Sequence, residues 1–413
     1  MKKVISILVV LCMVIVFAAA CAADPPPPAP AADPTPAPGA DAPAPTPEVG
    51  AGPAPVLRIA TLGPLTGRFA LYGNNIAASV QYVIDQINES GGIQSMGGAT
   101  LELTSYDDAG DPNEGVVIAN RIVDNPDYVA VIGPFNTAVG LAIKPLFNEA
   151  GIPLISPSIS TASFAENVGD FMFGGALTMV QQQEISAQFI TSQLGYTRGI
   201  LMAPNHENGR VMHENFERFF TQYGGELVAV EFFEEGTRDF RPQLTRLRNL
   251  DADFITLSGT LADLSVLVNQ IRELRIDLPF ISGNTLMMPE YLDIVGENAE
   301  GHIMLSFFSP ATDNPPAFEA FRSGLAARGV NIEAHSFNAA DIMLMLQVIL
   351  EEIGDSGAAA NTTDIRNMIR DAIPGRQGVQ GLVLVYDYDA SGQMFKPMVP
   401  VIVRNGEFVL WTG

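Results

Sequence analysis

The chain has 413 residues, of which 47% are hydrophobic and 16% are charged, so it can bury one large core or two smaller ones. Acidic residues outnumber basic residues by 46 to 22, and the formal net charge is -24. This balance argues against nucleic-acid binding, which needs clustered Lys and Arg facing phosphates. It indicates an acidic, soluble surface.

The N-terminus has the pattern of an export signal, predicted over residues 1–20. Two lysines precede an uncharged, mostly apolar run from residue 4 to residue 20, as in a secretory signal peptide. Three alanines then stand directly before Cys21, which resembles the lipobox of bacterial lipoproteins. That resemblance implies cleavage before Cys21 and a lipid attached to it. The alternative is an ordinary signal peptide cleaved near Ala20 or Ala23.

Residues 21–55 are predicted to be the lipidated Cys followed by a linker. Thirteen of the 34 residues after Cys21 are Pro and many of the others are Ala, a composition that favours extended polyproline II over a packed core. At about 3.1 Å per residue, the linker could span roughly 100 Å. The mature chain would keep Cys21 as its single Cys, which excludes an internal disulfide and a Cys-based zinc site.

From residue 56 onward, predicted strands and helices alternate. The first set has strands at 57–62, 101–106, 129–133 and 152–156, and helices at 74–88, 111–123 and 138–149. The pattern restarts at residue 199, with strands at 199–203, 227–233, 254–258, 279–282 and 302–307, and helices at 211–223, 240–249 and 261–274. Helices at 317–328 and 339–353 and strands at 382–386 and 398–403 follow. This alternation predicts parallel sheets with helices on both faces, in two lobes.

The signatures of catalysis are mostly missing. The sequence contains no Walker A loop and no G-x-S-x-G elbow, and His213-Glu214 lacks the second His of a zinc protease motif. Asp107 and Asp108 are adjacent on a predicted strand, so they point to opposite faces and are poorly placed to share a proton or a metal. We therefore predict no catalytic residue, no metal site and no cofactor.

Two polar loops follow neighbouring predicted strands. The loop at 133–137 leads into a helix, whose free N–H groups can bind an anion such as a carboxylate, with the hydroxyl of Thr137 as a further donor. The loop at 156–161 offers four hydroxyl groups. Each loop alone could simply be a helix cap. Together they favour a ligand site, because ligands bind at the carboxyl ends of parallel strands.

Further motifs accompany these loops in a fixed order, namely Gly63-Pro64-Leu65-Thr66-Gly67, Asp85-Gln86-Ile87-Asn88, Tyr106-Asp107-Asp108, Val131-Ile132-Gly133-Pro134, Ile155-Ser156-Pro157-Ser158 and Gly296-Glu297-Asn298-Ala299-Glu300-Gly301. With them the chain resembles the type I periplasmic binding proteins, and most of all the leucine/isoleucine/valine-binding family of ABC importers. The likeness spans nearly everything after the linker.

The resemblance implies an α/β fold of two Rossmann-like lobes with parallel central sheets, joined by a three-strand hinge. Lobe 1 would comprise residues 56–177 and 308–380, and lobe 2 residues 178–307 and 381–413. It also implies a monomer, anchored at the outer face of the bacterial cytoplasmic membrane, that captures an amino acid or similar small carboxylate by hinge closure. An ABC permease would be its partner. The alternatives are a ligand sensor of the same fold and, less in keeping with the sequence, a secreted hydrolase.

The resemblance assigns the ligand's head group to the first lobe. Thr137 and Ser160 match hydroxyl contacts, Ser158 matches a backbone contact, and Tyr72 matches an aromatic residue of the cleft. The predicted site also includes the neighbouring loop residues Phe135, Asn136 and Ile159.

In the second lobe, the family's cleft aromatics fall near Asn208 and Thr260, and its ammonium-binding acid aligns with Asn284. A buried ammonium usually needs a carboxylate beside it. The sequence therefore predicts that leucine, isoleucine and valine bind poorly, and that a polar amino acid, an amide or a carboxylate without a free amine binds better. Asp263 or Glu290 remains an alternative source of the acid.

Overall fold

The computed structural model describes residues 55–167, 169–307, 315–330 and 332–413. The predicted signal peptide, Cys21 and the linker up to residue 54 lie outside these residues. Within the described ranges, every helix is too short or too polar to cross a membrane.

The first lobe is built on a five-stranded parallel sheet in the order β2-β1-β3-β4-β5. Its strands are β1 Val56–Gly63, β2 Thr100–Asp107, β3 Tyr128–Ile132, β4 Leu154–Ser156 and β5 Met172–Gly174. Its first helices are α1 Ala70–Glu89, α2 Pro112–Val123 and α3 Thr137–Ala150.

Side chains of β1 alternate between two cores. Leu57 and Ile59 pack in a cluster with residues of α1, whereas Ala60 and Leu62 pack in a cluster with residues of α2 and α3. Because successive strand residues point to opposite faces, this alternation means that helices cover both faces of the sheet. The parallel sheet predicted for this lobe is therefore confirmed.

The second lobe is built on a seven-stranded sheet in the order β15-β14-β10-β9-β8-β6-β7, counted in chain order. The strands are β6 Arg198–Pro204, β7 Glu226–Phe233, β8 Phe254–Leu257, β9 Phe280–Ser282, β10 Ile303–Ser306, β14 Val399–Arg404 and β15 Glu407–Leu410. Its helices are α4 Met179–Ser192, α5 Glu207–Gln222, α6 Arg241–Leu247, α7 Leu261–Glu273 and α8 Pro289–Val295. Strands β6 to β10 run parallel, while β14 and β15 extend one edge in antiparallel pairing.

Later parts of the chain return to the first lobe. They comprise the helices α9 Pro316–Ala326, α10 Ala334–Ser356 and α11 Thr362–Ala372, and a small antiparallel sheet of β11 Val379–Gln380, β12 Val385–Tyr388 and β13 Met394–Phe395. Tyr386, Tyr388 and Met394 are buried in the same core as α1 and α10. This packing differs from the predicted assignment of residues 381–413 to lobe 2, because the chain joins the second sheet only at Val399. Strands of two to four residues carry too little pattern to reveal which core they join.

In the described part of the chain, consecutive elements lie in different lobes at three crossings: between β5 and α4, between β10 and α9, and between β13 and β14. In each lobe the strand order reverses next to the first strand, between β1 and β3 and between β6 and β8. Open α/β sheets bind ligands at such switch points, beyond the carboxyl ends of the strands. A ligand site is therefore expected at the loops that follow β1, β3, β6 and β8.

Candidate functional site

Two adjoining cavities lie between the lobes, with volumes of about 230 Å³ and 270 Å³. We call them the inner cavity, on the side of α5 and β8, and the outer cavity, on the side of α1 and α10. They share four lining residues, Ser160, Gln182, Asn284 and Thr285. Together the cavities approach the size of ordinary small-molecule sites.

An aromatic cluster closes the first-lobe side of the outer cavity. The rings of Tyr72 and Phe135 stack with centroids 5.0 Å apart and planes inclined by 8°, and His335 meets Phe135 edge-on at 5.1 Å. Tyr72 and His335 line the cavity. Phe135 lies behind them, so its contribution is to hold the orientation of these two rings.

Hydrogen bonds join the two loops that follow β3 and β4. The hydroxyl of Ser156 donates to the carbonyl of Pro134 at 2.9 Å and accepts the N–H of Ile159 at 3.0 Å. The hydroxyl of Ser158 donates to the carbonyl of Phe135 at 2.6 Å. Ser158 therefore faces the outer cavity with its hydroxyl already in use, while Ser160 lines both cavities.

Four of the predicted first-lobe residues are absent from the lining of both cavities. Ile159 is 1% exposed and belongs to the core, and Phe135 supports the aromatic cluster. Thr137 begins α3 and is partly buried. Asn136 precedes it without capping the helix, and among the described residues its buried Oδ1 has no hydrogen-bond partner. The first N–H groups of α3 are thus left uncapped by the Asn136 side chain.

Of the site residues predicted in the second lobe, two line a cavity and one does not. Asn208, in the first turn of α5, lines the inner cavity, and Asn284 lines both. Thr260 instead caps α7: its hydroxyl accepts the N–H of Asp263 at 3.3 Å and donates to the Asp263 carboxylate at 2.8 Å. Asp263 is buried behind this cap, and neither it nor Glu290 lines the inner or the outer cavity.

Glu333 is an acidic residue of the cleft that sequence reasoning missed. It lines the outer cavity and precedes α10, where its carboxylate accepts the N–H groups of His335 and Ser336, each at 2.8 Å. The hydroxyl of Ser336 in turn accepts the N–H of Glu333 at 3.0 Å. This is a capping box with its acidic and hydroxyl positions exchanged, a signal that places the start of α10 at Ala334 rather than near the predicted residue 339.

A buried charged group lies directly behind the outer cavity. Lys396, on the third crossing segment, is fully buried, and its ammonium donates to Oδ1 of Asn338 at 2.5 Å and lies 3.7 Å from Oδ2 of Asp341. Burial lowers the pKa of Lys396 to about 8, although Asp341 acts in the opposite direction. Burial likewise raises the pKa of Asp341, although Lys396 acts to lower it. Asn338 lines the outer cavity, so it connects this pair to the cleft.

The cleft has the chemistry of a binding site. Its lining combines hydroxyl, amide and carboxylate groups with aromatic and aliphatic side chains, as small-molecule sites do. In the part of the chain that the structure describes, no three His, Cys, Asp or Glu residues come together as a group that could hold a metal.

A model of the periplasmic binding proteins matches residues 56–400. The chain belongs to the periplasmic binding protein family. One relative of this binding protein is the Leu/Ile/Val-binding protein homolog 3 of Brucella melitensis, which is 25% identical over 345 residues, or 83% of this chain and 89% of the relative.

Solved structures share the fold of the binding protein. The branched-chain amino acid transporter substrate-binding protein LivJ of Streptococcus pneumoniae, in complex with isoleucine, matches 86% of this chain and 97% of its own, with a TM-score of 0.68 and 24% identity. An ABC transporter substrate-binding protein from Sphaerobacter thermophilus matches 86% of this chain and 96% of its own, with a TM-score of 0.72 and 20% identity. The predicted family and fold are thus confirmed. Membership implies an extracytoplasmic protein that binds solutes.

Proposed function

We propose that this protein is a lipid-anchored solute-binding protein that captures an amino acid or similar small carboxylate and delivers it to an ABC importer. The observation that carries this proposal is the pair of cavities between the lobes, lined by Ser160 from one lobe and Asn284 from the other. A ligand that touches both lobes stabilises their closed arrangement, because it gains contacts that the open arrangement lacks.

We infer that the ligand's carboxylate binds at the first lobe. Ser160 offers a hydroxyl to the cavities, and the uncapped start of α3 offers N–H groups and a partial positive charge. Thr137, at that helix start, offers a second hydroxyl; both it and the helix start lie outside the lining of the two cavities, so their contact with the ligand requires closure of the lobes. These donors sit on loops that hydrogen bonds hold in place, so little ordering is needed when a ligand binds.

Alanine substitutions test the placement of the carboxylate. Losing one hydroxyl that contacts a charged group costs about 1.5–3 kcal/mol, which is about ten- to a hundredfold in affinity. We therefore expect Ser160→Ala and Thr137→Ala each to weaken binding by about tenfold or more in calorimetric titration against a panel of amino acids and organic acids. Ser163→Ala, on the same connection as Ser160 but outside both the cavity lining and the start of α3, is the matched control. Unchanged affinity in both variants, with folding preserved, would refute the carboxylate placement.

Delivery to an importer is tested separately. The mature protein, saturated with its ligand, should stimulate ATP hydrolysis by an ABC permease complex from the same organism, in reconstituted membranes. Small-angle scattering should show a smaller radius of gyration with ligand than without. If the protein binds its ligand and neither the scattering nor the ATPase rate changes, it does not close around the ligand and does not deliver it to the importer.

A further inference from the structure

Five methionines line the two cavities: Met179, Met212 and Met398 at the inner cavity, and Met287 and Met288 at the outer one. Each is partly buried, so a face of the side chain stays accessible. Six others of the chain's 15 methionines are buried in the core: Met172, Met202, Met304, Met343, Met345 and Met394. We call these five cleft residues the methionine wall.

The methionine wall belongs to one side of the cleft. Met212 lies in α5, and Met287 and Met288 connect β9 to α8 in the second lobe. Met179 and Met398 stand just beyond the first and third crossings, where the chain enters that lobe. On the first-lobe side of the outer cavity, Ser158, Ser160, Glu333, His335 and Asn338 offer polar groups beside Tyr72, Leu177 and Ile332, and the second-lobe side also carries polar residues such as Asn208 and Asn284.

The methionines lie on the second-lobe side, whereas Glu333, the one carboxylate among the described lining residues, lies on the first-lobe side. Polar groups on the first lobe suit the charged end of the ligand, and the methionine wall suits its apolar end. Met has three rotatable bonds and a polarisable sulfur, so it adapts to irregular shapes and makes favourable contacts with aromatic rings. Leu or Ile side chains would instead give a stiffer wall that selects one aliphatic shape.

We propose that the methionine wall selects ligands whose apolar end is an aromatic ring, so that the substrate class is aromatic amino acids or aryl-substituted small carboxylates. This proposal rests on the proposed function, because it assumes that the cleft holds a carboxylate-bearing ligand. Sulfur–ring contacts are each worth about two- to tenfold in affinity. The wall offers three methionines at the inner cavity and two at the outer one, so a ring held in either cavity is preferred measurably over an aliphatic group of the same size.

The experiment compares L-phenylalanine with L-cyclohexylalanine, which matches it in size but lacks the aromatic ring, by calorimetric titration of the mature protein. We expect phenylalanine to bind at least fivefold more tightly. In the triple variant Met212→Leu, Met287→Leu and Met288→Leu, this ratio should fall below about two. Leu has nearly the volume of Met, so the fold should be kept, and thermal denaturation checks it. Met368→Leu, in a partly buried position on α11, should leave the ratio unchanged.

The outcomes separate the two proposals. Equal affinities for phenylalanine and cyclohexylalanine, or a ratio that survives the triple substitution, would overturn selection by the methionine wall while the proposed function stands. If the triple variant does not fold, Met398→Leu alone should lower the ratio by about twofold, and an unchanged ratio there would count against the wall. If neither these two ligands nor any other amino acid or organic acid binds, both proposals fall.

Discussion

The ammonium of Lys396 donates to Oδ1 of Asn338 at 2.5 Å, and the amide nitrogen of Asn338 donates to the carbonyl of Pro157 at 3.0 Å. The first residue lies on a crossing segment between the lobes, and Pro157 lies in the loop that precedes Ser160. Because the acceptor side of the amide faces Lys396, its donor side must face the loop. A buried charge at the hinge therefore fixes a hydrogen bond to the candidate ligand site.

Removing the charge of Lys396 should destabilise the protein. Lys396→Met leaves Asp341 buried without its partner, which costs about 3 kcal/mol or more in the free energy of unfolding. Urea denaturation at pH 7 measures this loss. Arg241→Met, which breaks the exposed pair of Arg241 with Glu273, should cost less than about 1 kcal/mol.

The double variant Lys396→Met with Asp341→Asn separates the ion pair from simple packing. Asn keeps an acceptor for the N–H of Leu382, which Asp341 binds at 2.8 Å, while removing the unpaired charge. We expect the double variant to be more stable than the sum of the single losses by about 1–3 kcal/mol. Additive losses would show that the two charges do not act as a pair.

Acid should destabilise the second lobe through His302. This residue is fully buried, and its Nδ1 lies 2.6 Å from the Tyr291 hydroxyl while its Nε2 lies 3.1 Å from the Ser282 hydroxyl. Burial, assisted by Arg272, lowers the pKa of His302 from 6.5 to about 3. Since the folded pKa lies below the unfolded one, the neutral imidazole stabilises the fold above pH 6.5, and this contribution is lost as the pH falls toward 3.

The loss can reach about 5 kcal/mol below pH 3, since one pKa unit corresponds to about 1.4 kcal/mol. His302→Gln should flatten the decrease in unfolding free energy between pH 6.5 and pH 4, measured by urea denaturation at each pH. His206→Gln, at a partly exposed histidine, controls for the loss of an imidazole. An unchanged slope in His302→Gln would exclude this residue as the cause of acid sensitivity.

Cys21 should carry a lipid. We expect Cys21→Ala either to release the protein into the medium or to leave the uncleaved precursor, because lipidation and processing at a lipobox both need the thiol. Cell fractionation and the mass of the mature protein are the measurements. A Cys21→Ala protein that remains as membrane-bound as the wild type would rule out this anchor.

The sequence predicted the features that depend on chain order. Strands β3 and β4 are consecutive and adjacent, so the loops ending at Thr137 and Ser160 had to meet at one sheet edge. It did not predict that Ile159 turns into the core or that Thr260 turns toward its own helix, because those orientations depend on packing and capping around each side chain. The sequence did not predict the methionine wall, because its residues come from separate elements. Apolar periodicity also does not distinguish a Met that faces the cleft from a Met in the core.

Glu333 supplies the carboxylate that the sequence did not predict for the ammonium group of an amino-acid ligand. The expectation that such a ligand finds no acid in this cleft rested on Asn284, yet the Glu333 carboxylate lines the outer cavity together with Tyr72 and Ser158. Each carboxylate oxygen accepts one helix N–H and retains a second lone pair. We therefore predict that Glu333, on the first lobe, pairs with the ligand's ammonium group.

The substitution Glu333→Gln removes the charge and keeps an oxygen that can still cap α10. A hydrogen bond between charged groups is worth about 1.5–3 kcal/mol, so affinity for phenylalanine should fall about ten- to a hundredfold in calorimetric titration. Affinity for 3-phenylpropionate, which has the same ring and carboxylate but no amine, should change less than about threefold. Equal losses for both ligands would mean that the variant damaged the site as a whole. Tight binding of 3-phenylpropionate by the wild type, with no loss for phenylalanine in the variant, would instead mean that the cleft selects carboxylates without regard to an amine.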